Sequence, residues 1–366
     1  MNKSFYIESN TYKIFVGENI FNELNSFINT IQITDNKLFI LVDENTKKNC
    51  LPKLLSNFDR LKNAEIIEII SGEENKNIKT CFSIWQTLSD SLADRNSVII
   101  NLGGGVITDI GGFTASTFKR GIKFINIPTT LLAQVDAAIG GKTAIDFENL
   151  KNQIGTFSNP EAVFIYPDFL KTLPEKHLRS GFAEIIKHSL IADKKYWKKI
   201  KTLQLENISD WTEIILQSLK IKNERIIKDP FDKDLRKELN FGHTIGHALE
   251  AFSLESDSKS LLHGEAVAIG IICESYLSYL KTGLLRIELK NISNDIFSIF
   301  SFKLIDKNQY KLIFEIMLQD KKNRTSNINF TLLKSIGKAL INQECSKEMI
   351  FESLDYFNEI VKSTAD

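Results

Sequence analysis

Six short β-rich runs punctuate the first 180 residues: YKIFVG (12–17), KLFILVD (37–43), EIIEII (65–70), SVIINLGGG (97–105), FINIPTT (124–130) and AVFIYP (162–167). Stretches of helical character separate several of them, as in CFSIWQTLSDSLADR (81–95). Strands that alternate with helices pair in parallel, which predicts a Rossmann-like α/β domain with a largely parallel sheet. Past about residue 175 the texture changes. Eleven of the eighteen glycines and five of the six prolines lie before residue 180, and no proline follows Pro230. Apolar residues then recur at helical spacing, as in WTEIILQSLKIKNERII (211–227), which predicts a mostly helical second domain. The boundary falls at 177/178, giving domains 1–177 and 178–366 with no low-complexity linker. The cleft between two such domains is the expected place for an active site.

Lys+Arg and Asp+Glu both number 46, so the formal charge is zero. That argues against nucleic acid or an anionic membrane as the main partner, but not against a small anionic ligand met by a local cluster of cations. The four cysteines, at 50, 81, 273 and 345, form no C-x-x-C pair and no disulfide framework, as in a reduced cytoplasmic protein. The N-terminal MNKSFYIESNTYKIF lacks the apolar core of a signal peptide, and no stretch approaches the roughly 20 apolar residues of a membrane span.

SVIINLGGGVITDIGGFTAS reads as a buried strand, a glycine turn and a helix. Gly103, Gly104 and Gly105 allow a close backbone approach, and the helix start offers free N–H groups to a phosphate or pyrophosphate. A tight strand–helix turn alone would also use glycine, but three in a row after so apolar a strand favour phosphate. The spacing is not G-x-G-x-x-G; the acid suited to a ribose hydroxyl ends an earlier strand, at Asp43, with Asn45 beside it. GGKT (140–143) resembles a Walker A loop but has Asp136 where that motif needs a glycine, which disfavours ATP hydrolysis. Lys142 reads instead as a cation at a glycine-loosened turn, with Lys151 and Asn152 following in LKNQIG.

LNFGHTIGHALE (239–250) carries two histidines four residues apart, His243 and His247. With Arg236 and Asn240 they fall at spacings of four, three and four; one helix running through all four would project them as a single stripe. An exposed stripe is the bland reading, but Phe241, Ile245 and Leu249 beside it point to a lined cavity. A catalytic zinc takes three protein ligands and leaves a position open. His263, before a run of small residues, and Glu184, in the apolar SGFAEIIKHSLI, are candidates, with Lys187 one turn on from Glu184. Two histidines plus a glutamate form a known catalytic zinc set, and spacing alone leaves His243 and His247 both open as the second imidazole.

The motifs GGGVITDIGGFTAS, KRG, PTTLLAQVD, IGGKT, LKNQIGTF, SGFAEIIKH, LRKELNFGHTIGHALE and HGEAVAIG occur in the order seen in the 3-dehydroquinate synthase family, which the chain resembles from about residue 40 to 325. In two-domain architecture that family is similar to the iron-dependent alcohol and glycerol dehydrogenases. The resemblance implies a homodimeric, NAD-dependent lyase using zinc or cobalt. Such an enzyme converts 3-deoxy-D-arabino-heptulosonate 7-phosphate to 3-dehydroquinate and phosphate in the shikimate pathway to the aromatic amino acids. The steps implied are transient oxidation by NAD, β-elimination of phosphate, re-reduction, ring opening and aldol closure.

Position by position, the resemblance implies Glu184, His243 and His263 as metal ligands, with His247 left to the substrate phosphate. It implies Lys222, Arg236 and Asn240 as substrate contacts, the first two near a carboxylate. Lys142, Asn152 and His247, with Lys321 or its neighbour Lys322, would meet the phosphate. Asp136 and Lys187 would stand near the hydroxyls oxidised, and Arg120 would reach into the neighbouring subunit's site. The implied NAD contacts are Asp43, Asn45, Glu73, Lys76, Gly104, Gly105, Val106, Asp109, Thr129, Thr130, Lys142, Lys151, Phe169 and Thr172. Departures from the family pattern are Ala138, Ala144, Pro230 and Asp234, which touch loop geometry and remove no matched ligand. Another sugar phosphate cyclase, acting on a carboxylate-free substrate, would leave the Arg236–Lys222 cations unmatched. A polyol dehydrogenase would need no phosphate cluster, and a catalytically dead scaffold would not keep every polar position filled.

Overall fold

The computed structural model describes residues 4–31, 37–148, 150–255, 260–319 and 328–365. The chain divides into two compact units, Met1–Leu178 with Asp210–Ile227, and Arg179–Ser209 with Lys228–Asp366.

In the first unit the strands are β1 (Ser4–Glu8), β2 (Lys13–Gly17), β3 (Leu38–Asp43), β4 (Glu65–Ile69), β5 (Val98–Gly103), β6 (Lys123–Pro128), β7 (Lys142–Phe147), β8 (Leu150–Phe157) and β9 (Ala162–Ile165). Seven form one sheet in the order β1-β2-β9-β6-β5-β3-β4, while β7 and β8 pair as a separate antiparallel hairpin. Every pairing in the large sheet is parallel except β1 with β2. Each of the six β-rich runs contains one of its strands. Leu38, Ile40 and Val42 of β3 and Val98, Ile100 and Leu102 of β5 enter one apolar layer, and Phe39, Leu41 and Ile99 the opposite one. All nine are 1% exposed or less. A sheet covered on both faces needs apolar side chains at consecutive positions, so these strands read as nearly continuous apolar runs, interrupted in β5 by the buried Asn101, whose amide donates to Asn126 at 2.9 Å. Each such burial contributes about 1.5–3 kcal/mol.

The chain leaves β3 towards β4, then crosses back so that β5 lies on the other side of β3. The carboxyl ends of β3 and β5 therefore flank the topological switch point, where open α/β sheets place their ligands. Asp43 ends β3 and Gly103 ends β5.

A single cut at 177/178 would assign the helix Thr212–Lys228 to the second domain, whereas Asp210–Ile227 belongs to the first unit. Three contacts hold it there: the Asn223 amide donates to the Glu8 carbonyl at 2.8 Å, the Asn10 amide to the Ile226 carbonyl at 3.3 Å, and Lys222 engages Asp136.

The second unit is mostly helical, with helices that include His243–Glu255, His263–Lys281, Arg286–Phe297 and Lys347–Ala365. It also contains an antiparallel hairpin, β10 (Ile328–Ser335) and β11 (Lys338–Cys345), which the helical reading did not include. Its turn uses Gly337 at φ +90°, and Phe330, Leu332 and Leu333 are buried. Among the described residues, no helix is long and apolar enough to cross a membrane. All four cysteines are buried free thiols.

Candidate active site

In the first unit, the residues predicted to hold a dinucleotide gather at the carboxyl edge of the sheet. Asp43 ends β3 and Asn45 follows it, Glu73 and Lys76 follow β4, and Gly104, Gly105, Val106 and Asp109 follow β5. Thr129 and Thr130 follow β6, and Phe169 and Thr172 follow β9. Gly104 is the N-cap of the helix Gly105–Thr117, which has no side-chain cap on its first N–H groups. A Cβ on Gly104 would stand 3.0 Å from the Thr130 methyl, so the cradle is shaped around a bare backbone. Asp43 has a local task as well: its Oδ1 accepts the Thr46 N–H at 2.7 Å and caps the helix Glu44–Asn49.

The Lys76 ammonium, only 3% exposed, donates to Asp109 Oδ2 and to Asn152 Oδ1, both at 2.6 Å. Burial works against its charge, but Asp109 and Glu73 outweigh that and hold it protonated. Asn152 sits at φ +54°, and its N–H donates to Asp146 at 2.8 Å. Lys151 pairs with Glu73 at 3.2 Å. Lys76 thus joins residues predicted for the dinucleotide to one predicted for the phosphate. Lys142 opens the hairpin after Gly140 and Gly141, both at positive φ, and lines a shallow pocket with Asp109, Asn126 and Ala138. Asp136 lies on a single π-turn, Ala133–Ala137, and its carboxylate and carbonyl both receive the Lys222 ammonium at 2.7 Å. The turn is pinned through Asn126, whose amide donates to the Ala138 carbonyl at 3.0 Å. Arg120 is exposed at φ +68°, between Lys119 at +49° and Gly121 at +113°.

The second unit contains the histidine cluster. Glu184, fully buried on the helix Glu175–Ala192, has its Oε1 3.4 Å from His243 Nε2 and 3.5 Å from His263 Nε2. Its Oε2 is paired with Lys187. The ligands of a tetrahedral zinc, bound at about 2.0–2.1 Å, stand about 3.3–3.4 Å apart, so both distances from Glu184 Oε1 match the spacing of metal ligands. The outer nitrogens are engaged: His243 Nδ1 meets the Phe241 carbonyl and His263 Nδ1 meets Glu250 Oε2, both at 3.1 Å. That pattern fixes each ring with Nε2 towards Glu184. Burial and the Lys187 ammonium push His243 well below the usual imidazole range, which keeps it in the neutral form that ligates metals. Burial also opposes a proton on His263, but Glu250 and Glu184 outweigh it and lift its pKa to about 10; the carboxylates call for a cation here. His247 is exposed, with its ring centroid 4.9 Å from that of His243 and 5.8 Å from that of His263.

The four-residue stripe does not lie on one helix. Arg236 and Asn240 occupy a 3-10 helix, Leu235–Asn240; Phe241 is non-helical, Gly242 turns at φ +80°, and a new helix starts at His243. The break is spanned by the buried Glu274, whose carboxylate accepts the Gly242 N–H at 2.6 Å and the Ile245 N–H at 3.1 Å. Arg236 is buried, donating to the Pro230 carbonyl at 2.8 Å, and its own N–H donates to Asp229. Glu250, Glu274 and the buried His188, one turn from Glu184, were not singled out from sequence. The available signal was an ionisable residue inside an apolar helical run, as in HALEAF and IICESYL. Lys321 and Lys322 lie outside the described residues.

Among solved structures, the fold is shared with synthases of known structure. A 2-deoxy-scyllo-inosose synthase, complexed with carbaglucose-6-phosphate, NAD+ and Co2+, superposes with a TM-score of 0.82 at 22% identity, over 97% of this chain and 99% of the other. The 2-epi-5-epi-valiolone synthase of Streptomyces hygroscopicus, with NAD+ and Zn2+ bound, gives 0.83 at 24% identity, over 98% and 99%. Sequence narrows the class. Residues 66–180 match the 3-dehydroquinate synthase N-terminal family and residues 181–323 the 3-dehydroquinate synthase C-terminal family. The 3-dehydroquinate synthase of Parabacteroides distasonis is 43% identical over 95% of this chain and 98% of its own length. The chain belongs to the 3-dehydroquinate synthase family.

Proposed function

We propose that the chain converts 3-deoxy-D-arabino-heptulosonate 7-phosphate into 3-dehydroquinate and inorganic phosphate, as a homodimer in the cytoplasm. The observation that carries this reading is the convergence of His243 and His263 on Glu184 at 3.4 and 3.5 Å, in a chain 43% identical to a named synthase. Glu184, His243 and His263 would hold a zinc or cobalt ion. Asp43, Asn45, Glu73, Lys76, Gly104, Gly105, Val106, Asp109, Thr129, Thr130, Lys142, Lys151, Phe169 and Thr172 would hold NAD along the sheet edge. When bound, the metal acidifies a substrate hydroxyl and NAD supplies a reversible hydride acceptor.

The protein's own residues do the rest. Lys222, fixed by Asp136, and Arg236 bind the substrate carboxylate, and a buried guanidinium suits a bidentate anion. Asn240 orients the same molecule. Lys187, held against Glu184, and Asp136 stand at the hydroxyls being oxidised. Lys142, Asn152 and His247, with Lys321, receive the phosphate and steady it as it leaves. Arg120 completes the neighbouring subunit's site. The helix that leads into its left-handed loop bonds the β7–β8 hairpin through Ser116 and Thr156 at 2.8 Å, and that hairpin exposes Phe147, Ile154 and Phe157.

The test is phosphate release from the heptulosonate phosphate. Release that needs both NAD+ and a divalent metal, and stops on adding a chelator, supports the reading. Release without either, or none with both, overturns it.

A further inference from the structure

We infer that two buried glutamates outside the ligand set, Glu250 and Glu274, are positioning residues that preset the two histidines for a metal. This rests on the proposed ligand set of Glu184, His243 and His263. Glu250 is 3% exposed, and its Oε2 stands 3.1 Å from His263 Nδ1, so it fixes both the tautomer and the rotation of that ring. Glu274 works through the backbone. It is fully buried on the helix His263–Lys281, and its two oxygens accept the N–H groups of Gly242 and Ile245.

Those N–H groups are at the start of the helix that His243 opens, where main-chain donors have no partner within the helix. A carboxylate there also answers the positive end of the helix dipole. The Gly242 turn also packs closely against the helix that carries Glu274. A Cβ on Gly270 would stand 1.9 Å from the Gly242 carbonyl oxygen, and one on Gly242 would stand 2.6 Å from Ile271. The helix that begins with His263 therefore carries the clamp that aims His243. One rigid pair of helices thus sets both imidazoles, and Glu250 on the first helix reaches back to the histidine that starts the second.

The experiment measures zinc affinity by competition with a chromophoric chelator, and the visible spectrum after loading with cobalt, in full-length chain. The parent, His243→Ala, Glu250→Gln and Glu274→Gln are compared, with folding checked by circular dichroism. Glutamine keeps the size of the side chain; at Glu274, where both oxygens accept, it puts an N–H against an N–H, and at Glu250 it removes the negative charge that faces the His263 ring. Both glutamine variants should fold, bind zinc about 10- to 100-fold more weakly and show an altered cobalt spectrum. If Glu274→Gln does not fold, Glu274→Asp replaces it and should show the same loss. Zinc affinity and cobalt spectrum equal to the parent's in either glutamate variant would overturn the inference. A parent that binds no zinc, or a His243→Ala variant that keeps it, would instead overturn the ligand set beneath it.

Discussion

The Lys222 ammonium lies 2.7 Å from the carboxylate of Asp136 and 2.7 Å from the same residue's carbonyl oxygen. A single cation therefore fixes both the side chain and the backbone of a π-turn, a helix irregularity common at functional sites. Lys222→Met removes both contacts. Hydrogen bonds to charged groups contribute about 1.5–3 kcal/mol, less where water can replace the partner, so the expected loss of stability is about 1–3 kcal/mol. A urea midpoint equal to the parent's would contradict this.

Metal content separates the two histidines of the GHTIGH turn. Glu184→Ala, His243→Ala and His263→Ala each reduce the proposed three-ligand set to two and should be purified without tightly bound metal. His247→Ala should keep its metal and lose rate, as expected of a side chain exposed at the cluster's edge. Metal analysis of the four proteins decides, and a metal-free His247 variant would reverse the assignment.

The glycine cradle makes a separate prediction. Gly104→Val places methyl groups against Thr130, 3.0 Å from the new Cβ, and over the start of the following helix. NAD+ affinity, followed by titration, should fall at least about tenfold, because a backbone-contact surface becomes a side chain. Bound zinc should be unchanged. Unaltered NAD+ affinity would remove the loop from the dinucleotide site.

Asp229 supplies a pH signature. Burial works against its charge, but the N–H groups of Lys233, Asp234 and Arg236, with the Arg236 charge, outweigh that and hold its carboxyl below the ordinary value. A carboxylate whose pKa falls on folding adds stability above its unfolded value of about 3.9, and that stability is lost as pH falls through the folded value. Asp229→Asn should therefore lower Tm at neutral pH, and the difference should narrow below about pH 4. Because Asp229 also anchors the Arg236 backbone at 3.1 Å, KM for substrate should rise in the same variant. A Tm difference that stays constant with pH would show that its charge does not matter.

The parallel sheet was legible because strands buried on both faces are apolar at nearly every position, as Leu38 to Val42 are throughout and Val98 to Leu102 are except at Asn101. β1 and the β7–β8 hairpin were not, because each offers an exposed face and its pattern merges with that of loops. The histidine pair showed as a spacing, but the break at Gly242 did not. Glu274, which bonds Gly242 and Ile245, is distant in sequence, and the apolar run around it marks it as buried without naming its partners. Asp43 illustrates a different limit: an acid at a strand end is read equally as a ribose acceptor or a helix cap, and DENT spells the capping box found.

The most direct test of a lyase that borrows its cofactor is NADH absorbance followed together with released phosphate. Oxidation and re-reduction within one turnover should let phosphate accumulate over many turnovers while free NADH stays near zero. NADH rising in step with phosphate, or turnover of a polyol that carries no phosphate, would contradict the synthase reading and define a dehydrogenase.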